Sequence, residues 1–441
     1  MATKAAPKPW RLGKSLGAPH WLKLGIEHQA RLEYLANDFR AMANHDTRAF
    51  ALRTLVSAEA GSEVVRGGIE IEDARTYASN DTPLNTTHVD ALEILQAYVA
   101  VAASDVLAGR DRVEVRAGRI TIDLGTRRVV ARNRFRNTIN GFTGLDATWT
   151  SPSHHVARAF AAMPVERLPS DVDALHDNEI EVDEENTDSL LWALEYASPS
   201  LVQGAQLELY VVGFHERDGD VLSRDRQLVT VGARVFRKPA TGAVDFDVEL
   251  MPQVGTSRAT TMMMDTTDLK HRAWSSHAEI GVSANTVGKP RFVLQHDYAS
   301  GDRDPADDVA QRFDPLFGAR RFEFGPTGIF GAFNRSNIQS PGVRILVEPM
   351  PSLKAFASYR MFWLASPRDA WVPAGVRDTV GESGSFVGEF VEAMVSWTPF
   401  AKNLNIEAGA AYLRPGQFAN QAPTTATAPA PYVYTQVTVT L

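Results

Sequence analysis

Cysteine is absent from the 441-residue chain. That single absence removes disulfide scaffolds, thiolate-bound zinc or iron–sulfur centres and thiol catalysis. Long apolar runs are missing too. The mean hydropathy is −0.20, and no stretch approaches the ~18 apolar residues of a spanning helix, so the chain does not cross a membrane by helices. A basic surplus is lacking: the formal net charge is −8, which argues against nucleic acid as a partner. Lysine is scarce, with nine lysines beside 36 arginines. The signatures of phosphate loops, dinucleotide folds and His-Glu-x-x-His zinc sites are also missing, and Gly381-Glu382-Ser383-Gly384-Ser385 is no nucleophile elbow. Neither enzymatic activity, a metal nor a cofactor is therefore expected. What the chain does hold is 44% apolar residues and 31 glycines, too apolar a composition for disorder.

Met1-Ala2-Thr3-Lys4 leads into prolines and basic residues without the apolar core of a signal peptide. Either the protein is cytoplasmic or the sequence is a mature form restarted at a new Met. From Trp21 onward a period of two takes over. Leu22, Leu24, Ile26, Ala30, Leu32 and Tyr34 alternate with Lys23, Glu27, Gln29, Arg31 and Glu33. The same dyad recurs in Val244–Leu250, Val229–Val235, Leu404–Tyr412 and Val433–Leu441. Strands in globular proteins average about five or six residues. Runs of this length match the ~9–11 tilted residues of a transmembrane barrel strand, apolar outside and polar inside.

Eighteen strands are predicted: 21–35, 47–59, 63–77, 88–102, 111–123, 138–151, 154–165, 189–198, 205–216, 226–237, 243–255, 271–284, 289–300, 337–348, 353–365, 386–398, 404–414 and 431–441. The even-numbered links are tight, as at Pro152-Ser153 and Pro399 to Asn403, and the odd-numbered ones are long, as at Gly301 to Ser336. Outer-membrane barrels sort periplasmic turns from extracellular loops in this way. The fold class is thus all-β, a transmembrane antiparallel barrel over 21–441, preceded by a periplasmic extension over 1–20. Trp21, Tyr34, Trp149, Trp192, Trp274, Trp363 and Trp397 fall near strand ends, where interfacial girdles form.

Several stretches, in order along the predicted strands, resemble the alginate export family of bacterial outer-membrane porins. They are Val115-Arg116-Ala117-Gly118-Arg119 after Leu95-Gln96-Ala97-Tyr98-Val99, Gly141-Phe142-Thr143-Gly144, Tyr298-Ala299-Ser300-Gly301-Asp302 and Arg312-Phe313-Asp314-Pro315-Leu316-Phe317. Tyr359-Arg360-Met361-Phe362-Trp363-Leu364, Gly388-Glu389 and Leu413-Arg414-Pro415-Gly416 continue the likeness. The resemblance implies an 18-stranded monomer whose Arg-rich lumen passes an anionic polyuronate across the outer membrane. Three positions depart from it. Pro399–Asn403 is a short turn where the exporter has a long periplasmic plug, Asn405 and Glu407 stand where it has inward arginines, and the chain ends in Leu441 rather than an aromatic.

Selecting a polyanion requires fixed positive charge in a confined lumen, and arginine binds carboxylates bidentately while staying charged. The dyad assigns Arg31, Arg53, Arg75, Arg116, Arg158, Arg234, Arg344 and Arg360 to the lumen, with Arg119 beside Gly118 at a candidate bulge. Arg116, Arg119 and Arg360 also fall on the family's motifs. Inward acids are expected at Glu33, Glu70, Asp245, Asp247, Glu279 and Glu392. Two readings stand open: a free binding ladder, or an ion-pair network spanning the wall. A third combines them, with acids of the tenth to twelfth strands facing arginines of the first to fifth across a transverse field. Arg127, Arg128, Arg132, Arg134 and Arg136 mark a basic patch at the extracellular mouth or one drawn to lipopolysaccharide phosphates. The acidic link 165–188 reads as a solvated loop, or as an electrostatic gate if it folds inward. His277 is expected in the lumen beside Glu279, and His154-His155 at a periplasmic turn. The partners expected are anionic carbohydrate, outer-membrane lipid and a periplasmic export complex at the short turns. Small anionic solutes are the alternative cargo, and a non-transport barrel with working loops is the other class.

Overall fold

In a computed structural model, the chain is described over residues 9–43, 45–107, 109–202, 204–218, 222–424 and 427–441. Residues 1–8 of the expected extension lie outside these. Eighteen strands build the wall: β1 Leu22–Leu35, β2 Thr47–Gly61, β3 Val65–Ala78, β4 Asp90–Ser104, β5 Arg112–Ile120, β6 Phe142–Thr150, β7 Val156–Glu166, β8 Ser189–Ser198 and β9 Gln206–Glu216 in the first half. β10 Gln227–Arg237, β11 Val244–Ser257, β12 Leu269–Ser283, β13 Arg291–Ala299, β14 Ile338–Met350, β15 Leu353–Trp363, β16 Phe386–Phe400, β17 Leu404–Pro415 and β18 Ala430–Thr440 complete it. Each pairs antiparallel with the next, and β18 returns to β1 from Glu27↔Thr440 to Leu35↔Tyr432, which closes the sheet. Closure leaves no free edge. Two further two-residue stretches, Glu184–Glu185 and Val309–Ala310, attach to β7 and β12 without entering the wall.

The side-chain dyad is inside out relative to a water-soluble sheet. On β1 the buried residues are Gln29, Arg31, Glu33 and, at the long-link end, Leu35, while Leu32 between them is 57% exposed. Phe50, Val56, Ile69, Val99, Leu145 and Val248 are likewise exposed on the outer face. Such an apolar exterior around a polar interior is stable only against lipid. Tight connections lie at one end of the barrel, as at 62–64, 351–352 and 401–403, and long ones at the other, as at 79–89, 121–141, 167–188, 300–337 and 364–385.

β5 and β6 are shorter than the predicted 111–123 and 138–151, at 9 residues each. The alternation of Ile120, Ile122 and Leu124 reads as strand, yet all three are buried in an apolar cluster inside the barrel. Period two reports a two-faced chain and not which medium each face meets. The same cluster fills the long-link half of the lumen with Phe39, Phe330, Phe333, Phe362, Phe390 and Trp371. There Phe333 stacks on Phe362 at 3.6 Å, and the Trp371 indole N–H donates to the Ala332 carbonyl at 2.8 Å.

Candidate functional site

Two long links turn into the barrel and meet. The first, 121–141, is a strap across the lumen; the second, 300–337, a buttress beside it. They are joined as a short parallel ladder: Phe317 N–H donates to the Val129 carbonyl at 3.0 Å, Ala131 N–H to the Phe317 carbonyl at 3.2 Å and Ala319 N–H to the Arg127 carbonyl at 2.8 Å. Wall arginines hold the strap by its carbonyls. Arg31 donates to Phe135 O at 2.5 Å, and Arg53 to Arg134 O and Arg136 O at 3.1 and 3.0 Å. The strap's own arginines reach wall acids: Arg132 to Glu70 at 2.9 Å, and Arg128 to Glu249 of β11 and to Glu323 of the buttress. Tyr210, whose hydroxyl donates to Glu249 at 2.6 Å, lies flat over Gly232 of β10, where a Cβ would collide with its ring. The basic cluster 127–136 is thus not a patch on the extracellular surface. It folds inward because its acceptors, Glu70, Glu249 and Glu323, lie inside the barrel.

The predicted arginines separate into groups. Arg31 pairs with Glu33 at 2.8 Å, and Arg53 with Glu27 at 3.4 Å. Arg116 and Arg158 share Asp146, and Arg158 sits at 2.7 Å from it. Arg234 bridges Glu208 and Asp247 at 2.8 and 2.7 Å; Arg360 pairs with Asp297 at 2.8 Å. Arg344 faces inward and has no carboxylate at ion-pair distance among the described residues. Arg75 points the other way: it lies opposite Leu52 on the outward face with Ile69, Ile71 and Tyr77, and pairs with Asp73 at 2.9 Å. Glu70, Glu72, Ala74 and Thr76 hold the inward parity of β3, which leaves no inward place for residue 75. Arg119 belongs to the wall rather than the pore. It sits where β5 stops, bound to Glu93 at 2.8 Å and Glu185 at 2.7 Å, and helps the 183–185 stretch cover the side of β4 that β5 leaves unpaired. The acidic link is partly folded in this way, with Asp171 capping the short helix Val172–Asp177.

All six predicted acids carry cationic partners: Glu33 with Arg31, Glu70 with Arg132, Asp245 and Glu279 with Arg291, Asp247 with Arg234, and Glu392 with Arg321 at 2.6 Å. The acids of β11 and β12 are therefore neutralised where they stand, which removes the transverse field. His277 is buried beside Asp297 at 2.8 Å, and His154 and His155 lie at a short turn. Sequence reasoning missed Arg291, Arg321 and Arg335. Arg291 was readable from its shared parity with Gln295 and Asp297; the other two lie in the aperiodic buttress, which gave no signal.

Two cavities open beneath the strap on the short-turn side. One, about 480 Å³, is lined by Lys23, Glu27, Arg53, Glu70, Arg132 and Arg134. The other, about 320 Å³, is lined by Arg127, Gln295, Phe322, Arg344 and the neutralised Asp247 and Glu279. Arg127 and Arg134 of the strap, like Arg344, have no carboxylate partner among the described residues. The two cavities thus combine acids that are paired with a few arginines that are not.

The sequence profile of the alginate export family matches residues 20–432. Solved structures with the same architecture are outer-membrane proteins of Pseudomonas aeruginosa. OpdK is 14% identical with a TM-score of 0.58, over 95% of this chain and 98% of that one. OccD3 (OpdP) is 13% identical with a TM-score of 0.57, over 96% and 91%. OccK2 (OpdF), 12% identical with a TM-score of 0.57 over 95% and 98%, was solved in complex with glucuronate. No curated protein matches in sequence. With a family match across nearly its whole length and a closed, outwardly apolar 18-stranded wall, the chain belongs to the alginate export family and is an outer-membrane channel.

Proposed function

We propose that the protein is a passive, anion-preferring channel for small carboxylated solutes, acting as a monomer and without covalent chemistry. The observation that carries this reading is the asymmetry of charge pairing. The acids that line the two water-accessible cavities are engaged, whereas Arg127, Arg134 and Arg344, which face the same cavities, have no carboxylate of their own among the described residues. An arginine in a confined, low-dielectric lumen concentrates anions and releases them again, provided no single site binds tightly. Cavities of a few hundred Å³ beneath a strap suit solutes of one or two rings. The glucuronate bound by OccK2 agrees in chemistry with this cargo.

The family's own description favours a second reading, passage of a uronate polymer. A polymer would need strap and buttress to part. Reversal potentials of the purified full chain in planar bilayers under a salt gradient test the first reading. The expected sign is anion preference, reduced in an Arg127→Gln/Arg344→Gln pair. An unselective pore, a cation-selective pore or no conductance overturns it.

A further inference from the structure

Phe322 is anomalous among the aromatics of the buttress. Phe313, Phe324, Phe330 and Phe333 are fully buried, whereas Phe322 is 45% exposed and faces the smaller cavity. It sits on the four-residue helix Arg321–Phe324, whose next two residues, Glu323 and Phe324, are buried. An apolar ring left open to a polar lumen forgoes the burial that its neighbours gain.

The groups around this ring are incomplete in a consistent sense. Arg127 covers one face, with Cζ 4.4 Å from the ring centroid. Arg344 Nη2 donates to the Phe322 carbonyl at 2.6 Å, but its Nε is buried without an acceptor. On the neighbouring strand β13, Gln295 Nε2 is also buried without an acceptor. The three acids lining the same cavity are all engaged: Asp247 receives two bonds from Arg234, at 2.7 and 2.8 Å, Glu279 one from Arg291 at 2.5 Å, and Glu323 is paired with Arg128 and Arg335 at 2.9 and 3.0 Å. Spare donors, no spare carboxylate and an open aromatic face converge on about 320 Å³, room for about ten waters or one ring with its substituents.

We infer that this cavity is a subsite for a cyclic sugar acid. The carboxylate is received by Arg344 Nε and the Arg127 guanidinium, a ring hydroxyl by Gln295 Nε2, and the C–H face of the ring rests on the open side of Phe322. The assignment rests on the anion-channel reading and narrows it, because an open-chain acid of similar size meets the donors but offers no face to the ring.

The test uses glucuronate and gluconate, a cyclic and an open-chain acid of nearly equal size, on the full detergent-solubilised chain. Titration calorimetry reads binding independently of conduction. The wild-type protein should bind glucuronate roughly three- to tenfold more tightly than gluconate, the usual worth of an aromatic face contact. Phe322→Leu should bring the ratio near one; Arg344→Gln should weaken both acids, with heat-modifiable gel mobility confirming a folded barrel in each case. Equal affinities in the wild type, or a Phe322→Leu protein that keeps the ratio, would overturn the subsite. A wild-type protein that keeps the ratio yet shows no anion preference supports the subsite and removes the wider channel reading instead.

Discussion

Arg344 and Arg360 lie on adjacent strands and both face the lumen, yet their losses have different expected consequences. Arg360 is 1% exposed and donates to Asp297 at 2.8 Å, Ser340 O at 2.7 Å and Glu323 O at 2.5 Å. Removing one partner of a buried pair leaves an uncompensated charge, so Arg360→Ser should cost about 3–5 kcal/mol, read as a lower midpoint in denaturant. Arg344 leaves no such acceptor behind. Arg344→Gln should keep the midpoint and lower anion preference. A second residue-scale effect concerns His88 in the long link 79–89. Burial pushes its imidazole down to about 4, and Asn85 N–H donates into Nδ1, which holds the neutral ring. A folded-state value below the unfolded one gives stability that is complete above about pH 6.5 and lost as pH falls through about 4. His88 also accepts from Asn137 of the strap through its carbonyl at 2.9 Å. Protection factors of residues 79–89 and 137–140, with the intrinsic pH dependence of amide exchange removed, should therefore fall between pH 6.5 and 4, and pH-independent protection there would contradict this.

At the scale of elements, the strap and the buttress decide what passes. A disulfide introduced by Val130→Cys and Phe317→Cys, at the position where the two segments pair, should leave small-anion current intact and abolish any polymer passage. Loss of small-anion current on oxidation would show that the segments must part for every solute. Gly232 offers a gentler perturbation. A valine there displaces the Tyr210 ring that orients Glu249, with an expected loss of roughly 1–3 kcal/mol and noisier conductance as Arg128 loses one of its acceptors. The strands themselves were legible, because Leu32 between Arg31 and Glu33 states its face in the sequence. The strap was not. Arg127, Arg128, Arg132 and Arg134 read equally well as a patch outside the barrel, and what draws them in are Glu70, Glu249 and Glu323, scattered over some 250 residues of chain. The unpaired state of Arg344, and the paired state of Arg116, were invisible for the same reason: partnership across strands depends on register and on the inward links.

For the whole molecule, closure is the decisive property. β18 pairs with β17 on one side and β1 on the other, so a chain shortened before residue 430 would expose two strand edges to lipid, each a row of unpaired backbone groups. Such a chain should yield no heat-modifiable band in unheated gels, while one shortened only before Trp10 should retain it, since all eighteen wall strands are kept. The interior contacts add something to this picture of the seam. Arg31 and Glu33 of the first strand bind the strap and the buttress, and Tyr432 of the last strand donates to Glu33 at 2.6 Å. Strands that are neighbours only after closure thus meet on a common inner scaffold. The two inward links thus give the first and last strands one shared landing place inside the barrel, so the seam is held from within as well as along its backbone ladder.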